Sequence, residues 1–126
     1  MFYHQVDVRS GVDSLNSLVE EIAEQHGRID GLIAAAGIQQ ETSALDYTAA
    51  DADRILGVNV TGVLMTAQAV ARQMVRLESK GSLVLIASMS GTIANRGLIC
   101  PYVYTPPESA CLVGGYSPKL YSLLLQ

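Results

Sequence analysis

The chain has 126 residues, of which 49% are hydrophobic and 16% charged, with a formal net charge of −4. That length suits one domain rather than two, and the composition excludes a chain disordered throughout. The acidic balance argues against nucleic acid or an anionic membrane as the main partner, and no apolar run reaches the roughly 20 residues that span a bilayer.

The start, Met1–Asp7, has neither the basic segment nor the apolar core of a signal peptide. Cys100 and Cys111 stand at no metal-ligand spacing, and neither His4 nor His26 has a partner at such a spacing. No metal site is expected. The default is a soluble, cytoplasmic α/β domain with free thiols.

Phe2–Val8 reads as a short strand with Asp7 at its carboxyl end. Ser10 is placed to cap a helix, with Asp13 three residues on completing a capping box. Leu15, Leu18, Val19, Ile22 and Ala23 form its apolar face, and Gly27 ends it. Ile29–Ala36 reads as a buried strand that ends at Gly37. Small residues at a strand end admit close approach of a ligand to the backbone, or else simply pack on a helix.

A polar loop, Gln39–Ser43, leads to a helical pattern from about Thr48 to Leu77. Its apolar stripe is Ile55, Leu56, Val60, Val63, Leu64, Ala67, Val70, Ala71 and Met74. Asn59 interrupts that stripe between Gly57 and Gly62, and must find hydrogen-bond partners or cost about 1–3 kcal/mol. Leu83–Ala87, opened by Gly81, reads as a third strand, and Ser88 and Ser90 stand at its carboxyl end before Gly91. There an open α/β sheet presents reactive groups to ligands; a serine that merely turns the chain would look the same. The strand–helix–strand–helix–strand order implies right-handed crossovers and a parallel sheet. Beyond Gly91 the patterning ends: Tyr102–Gln126 carries three prolines and a Gly-Gly pair, and reads as an irregular tail.

Four ordered pieces stand out: Asp7-Val8 after the first strand, Ala34-Ala35-Ala36-Gly37 after the second, Asn59-Val60-Thr61-Gly62 in the long helix, and Ser88-Met89-Ser90-Gly91 after the third. In this order and at these intervals they resemble the short-chain dehydrogenase/reductase family, from about Tyr3 to Pro101. The segment from Ser88 through Asn95 is similar to fungal members that act on sugars and polyols, such as mannitol or sorbose reductases.

The resemblance implies a partial Rossmann-like, doubly wound parallel sheet holding the equivalents of the family's third, fourth and fifth strands. In the family order 3-2-1-4-5-6-7, the first of these would stand without neighbours while the other two pair. It implies hydride transfer between NADP or NAD and a small carbonyl or alcohol. By position, Asp7 would bond the adenine amino group and Val8 would offer its backbone to the same ring. Ala35, Ala36 and Gly37 would border the cofactor ribose, with alanine where the family's Asn-Asn-Ala-Gly turn has asparagines. Asn59 would help to hold a water of the proton relay, and Ser88 would hydrogen-bond the substrate oxygen.

Two family features are not in the sequence. One is the glycine-rich turn that holds pyrophosphate at a helix N-terminus. The other is Tyr-x-x-x-Lys, in which lysine lowers the tyrosine pKa for proton exchange. Tyr102 stands nearest to the tyrosine's place, but Pro106 follows it at the fourth position.

The expected organisation is therefore a partial NAD(P)-binding domain over 1–101, truncated at both ends, with a tail over 102–126. Val103–Gln126 is compatible with translated intron: valine codons begin with GT, and Leu123–Gln126 can be encoded by a pyrimidine-rich run ending in CAG. Two functional readings stand side by side. One is an oxidoreductase. The other is a non-catalytic fragment, inert or joined to full-length relatives through the long helix, whose Leu64, Val70 and Met74 would also serve self-association into a homo-oligomer.

Overall fold

In the computed structural model, residues 2–43 and 45–86 are described. Strand β1 (Gly31–Ala34) and strand β2 (Ser82–Leu85) pair in parallel, with Leu32 opposite Leu83 and Ile33 opposite Val84. Bonds from Ser82 N to Asp30 O and from Ile86 N to Ala34 O, both 3.1 Å, extend the ladder at each end. β1 falls within the apolar run 29–36 expected to form it, whereas β2 begins one residue before its expected run, at Ser82, and the end of that run at Ala87 lies outside the described residues.

Phe2–Val8 forms no strand. Its alternation suits a strand, but a strand is held by a neighbour's N–H and C=O groups, and no neighbour stands beside it among the described residues. Phe2 and Tyr3 are exposed, and Phe2 rests against the His26 ring with the centroids 5.6 Å apart.

Helix α1 (Val12–His26) begins later than Ser10 would have started it. The Ser10 hydroxyl donates to Asp7 O at 2.7 Å, closing a turn, so no box forms with Asp13. Gly11 takes the N-cap position instead, at φ 105°, without a side-chain cap. Gly27 ends the helix as expected: at φ 71° its N–H donates to Ala23 O at 2.8 Å.

Helix α2 (Ala49–Leu56), a π-helical turn (Gly57–Gly62) and helix α3 (Val63–Arg76) run on as one 28-residue helix. Here the capping box is real. Thr48 Oγ1 accepts from Asp51 N at 3.1 Å, while Asp51 Oδ2 accepts from Thr48 N at 3.3 Å. The Thr48 hydroxyl, then the Gln40 carboxamide, hold the Asp51 carboxyl below its ordinary range. A depressed carboxylate adds stability above its unfolded pKa, and that stability is lost as pH falls through the folded value. Thr48→Ala should therefore cost about 1 kcal/mol at neutral pH, with a shallower acid limb in denaturant melts taken across pH.

Leu15 and Val19 of α1 pack with Ala69, Val70 and Met74 of α3, and Ile29, Leu32, Met65 and Leu83 close over them. Leu32 and Leu83 thus face the helices while Ile33 and Val84 face away, as period-two alternation requires. The helix stripe is corrected at its middle: Leu64 is exposed, whereas Val70 and Met74 lie in the core and offer no surface for self-association. The far side of the sheet carries Ile33, Val84 and Ile86 at 70%, 45% and 54% exposure, an apolar face of the kind that parallel sheets cover. By length and composition alone the long helix could cross a bilayer; its buried stripe packing on α1 and β1 is the behaviour of a core helix.

Candidate cofactor-side site

Gly57-Val-Asn-Val-Thr-Gly62 is poor helix sequence: two glycines, three β-branched residues and an asparagine in the middle of a long helix. It is here that the helix widens into the π-turn, a form frequent at functional sites. That composition was visible in the sequence, although the π-turn itself was not anticipated.

Asn59 finds its partners on the loop after β1. Its Nδ2 donates to Ile38 O at 2.9 Å and its Oδ1 accepts from Ile38 N at 2.8 Å. The carboxamide thus pairs with both polar groups of one residue, 21 positions away in the chain. Gly37 lies against the same oxygen, 3.7 Å from where its Cβ would stand. Each end of the carboxamide keeps capacity for one further bond.

The segment around Asp7 reaches the same π-turn from another side. Asp7 Oδ1 accepts from Arg9 N at 2.8 Å and Asp7 O accepts from Ser10 N at 2.9 Å, which folds the chain over the helix. Arg9 lies along Gly57, and Val8 seats on Gly62. A Cβ on Gly62 would stand 2.6 Å from Val8 Cγ2 and 2.9 Å from Val8 Cβ, so glycine is what permits this contact. Gly62→Ala should push Val8 off the helix and carry the Asp7 turn with it. Amide chemical shifts of residues 7–10 should move, and Val8→Ala in the same chain should return them only in part, because it removes Cγ2 and keeps Cβ.

Val8 and Gly37 thereby meet one helical turn, Val8 on Gly62 and Gly37 against Asn59, with Asp7, Ala35 and Ala36 next to them in the chain. Asp7 is exposed, and so are Ala35, Ala36 and Gly37 at the carboxyl end of β1. Ser88 and Tyr102 lie outside the described residues. No group of His, Cys, Asp and Glu side chains that could hold a metal ion occurs among the described residues.

Gln40 and Arg54 carried no local signal, since they stand 14 residues apart. Arg54 donates to Gln40 Oε1, and Gln40 Nε2 donates to Thr42 Oγ1 at 3.0 Å.

A family model described as short chain dehydrogenase matches residues 1–104. Among curated relatives, the sorbose reductase of Schizosaccharomyces pombe is 39% identical over 92 residues, 71% of this chain and 34% of that protein. The NADP-dependent mannitol dehydrogenase of Hypocrea jecorina is 33% identical over 87 residues, 69% of this chain and 32% of that protein. Among solved structures, NAD+-bound xylitol dehydrogenase superposes with a TM-score of 0.71 at 30% identity, covering 79% of this chain and 38% of that one. The chain thus spans about a third of the length of these curated relatives.

Proposed function

The chain belongs to the short chain dehydrogenase family, and from that premise we propose that it carries the cofactor side of a site for NAD(P)-dependent hydride transfer to or from a sugar or polyol. The observation that carries the reading is that Val8 and Gly37 meet at the π-turn that bears Asn59, Val8 on Gly62 and Gly37 against Asn59 itself. Sorbose, mannitol and xylitol in the names of similar proteins support the substrate class. NAD+ and NADP in two of those names leave the choice between the cofactors open. A cytoplasmic setting accords with this reading.

When bound, the nicotinamide supplies or accepts the hydride. Asp7 would take the adenine amino group and the Val8 backbone would meet the same ring. Ala35, Ala36 and Gly37 would lie along the ribose, and Asn59 would keep that border in place through Ile38. Ser88 would orient the substrate oxygen by hydrogen bonding. Proton exchange with that oxygen needs an acid tuned toward neutrality, and Pro106 stands where Tyr102 would need a lysine. We therefore assign residues 1–101 to cofactor binding and expect these 126 residues by themselves to bind without turning over.

Calorimetric titration of the refolded chain with NADH and NADPH tests the assignment. Binding of either cofactor, weakened by Asp7→Ala, is expected, with no oxidation of mannitol and no reduction of sorbose. Absence of binding removes the cofactor assignment; turnover removes the claim of catalytic silence.

A further inference from the structure

We propose that Arg54 is a positioning residue for the cofactor side of the site, acting through the Gln40 carboxamide on the loop that leaves β1. The proposal rests on the reading above for what the loop borders, and on hydrogen bonds alone for how it is held.

The loop 38–43 is polar and has no regular structure of its own. It begins directly after Gly37, so its path decides whether the exposed backbone of Ala35–Gly37 stays open. Asn59 fixes only its first residue. The rest is held from α2, one turn earlier along the same helix. Arg54 reaches Gln40 Oε1, and the Gln40 amide holds Thr42 two residues on. Three residues before Arg54 on the same helix, Asp51 closes the Thr48 cap.

One carboxamide therefore ties the loop to a cation on α2 and to a hydroxyl of its own at once. Gln40, Thr42 and Arg54 are all half-buried, which limits competition from water. A hydrogen bond from a guanidinium is stronger than one between neutral groups, and its planar fork holds direction where an ammonium would not. Loop position is thus set twice from one helix, by Asn59 at its start and by Arg54 at its middle.

The test uses the whole chain with Arg54→Ala, Arg54→Lys, Gln40→Ala and the double alanine variant. Hydrogen exchange of residues 38–43 and calorimetric Kd for NADH and NADPH are read side by side, with α3 amides as the control. Arg54→Ala should speed exchange in the loop by roughly tenfold, the scale of one lost charge-assisted hydrogen bond. Gln40→Ala should do the same, and the double variant should add little, because the two residues act as a unit. Arg54→Lys should fall between, α3 exchange should not change, and nicotinamide affinity should drop in step with loop exchange. Unchanged loop exchange in Arg54→Ala overturns the proposal, as do additive effects in the double variant. A looser loop with unaltered Kd in a chain that binds cofactor overturns the positioning role. If the unsubstituted chain binds neither nicotinamide, the functional reading fails, while a faster-exchanging loop in Arg54→Ala still upholds the fastening.

Discussion

Asn59→Ala should destabilise the chain by about 2–3 kcal/mol, since it leaves two half-buried backbone groups of Ile38 without their partners. Alanine is the better helix former, so intrinsic propensity works in the opposite direction, by about 0.5 kcal/mol, and does not offset the loss. The effect should be local before it is global. The Ile38 amide should lose protection from exchange at denaturant concentrations where α1 remains folded. Asn59→Asp sharpens the test. A carboxylate can still accept from Ile38 N but sets a second oxygen against Ile38 O, so this near-isosteric change should be destabilising at neutral pH and recover in acid. A urea series on the three proteins, with exchange at residue 38, decides it. If Asn59→Ala is neutral, the clamp does not hold the loop.

Gly81→Ala is the second large effect, and its cause is steric. A Cβ there would stand 2.6 Å from Met74 Cε, 2.8 Å from Asp30 O and 3.0 Å from Asp30 C. The methionine end can swing away; the Asp30 carbonyl cannot, because it accepts from Ser82 N and sets the first rung between β1 and β2. The expected loss is about 1–3 kcal/mol, the usual range for overpacking. Adding Met74→Ala should worsen it by opening a cavity rather than relieve it. Restoration of stability in that double variant would show that the methionine, not the strand junction, was the obstacle.

What could be read from the sequence divides by the range over which each feature is determined. The end of α1 at Gly27 and the course of the long helix from Thr48 onward are local: a left-handed cap and a 3.6-residue period are written in neighbouring residues. Leu32 and Leu83 sit in short apolar runs bounded by breakers, and they pair as such runs do. Phe2–Val8 fails because a strand needs a ladder, and a partner far along the chain leaves no mark on the seven residues themselves. Ser10 fails for a different reason. Asp7 offers its carbonyl three residues back, and that turn takes the hydroxyl before the helix can use it. At Asn59 the need for partners was legible and their identity was not, since Ile38 lies 21 residues away. The same distance effect hid Gln40 and Arg54. The roles of Asp7-Val8, Ala35–Gly37 and Asn59 came from the resemblance; the geometry shows Val8 on Gly62 and Gly37 against Asn59, on one turn.

The π-turn also governs how the long helix could have been lengthened. At about 100° per residue, Ile55 and Val63 would stand about 80° apart around a regular α-helix. Residues in a π-turn each advance less than that, and over Gly57–Gly62 the shortfall is of about the same size, so the two side chains stay in phase. Removing one residue from this turn would bring them to about 20° in an unbroken α-helix, with α2 and α3 still presenting Ile55 and Val63 to one side. Removing one anywhere else between Ala49 and Arg76 would rotate one part of the helix by about 100° against the other. The turn is thus the one place between Ala49 and Arg76 where the helix can shed a residue without turning its core face outward, and it is the turn that carries Asn59.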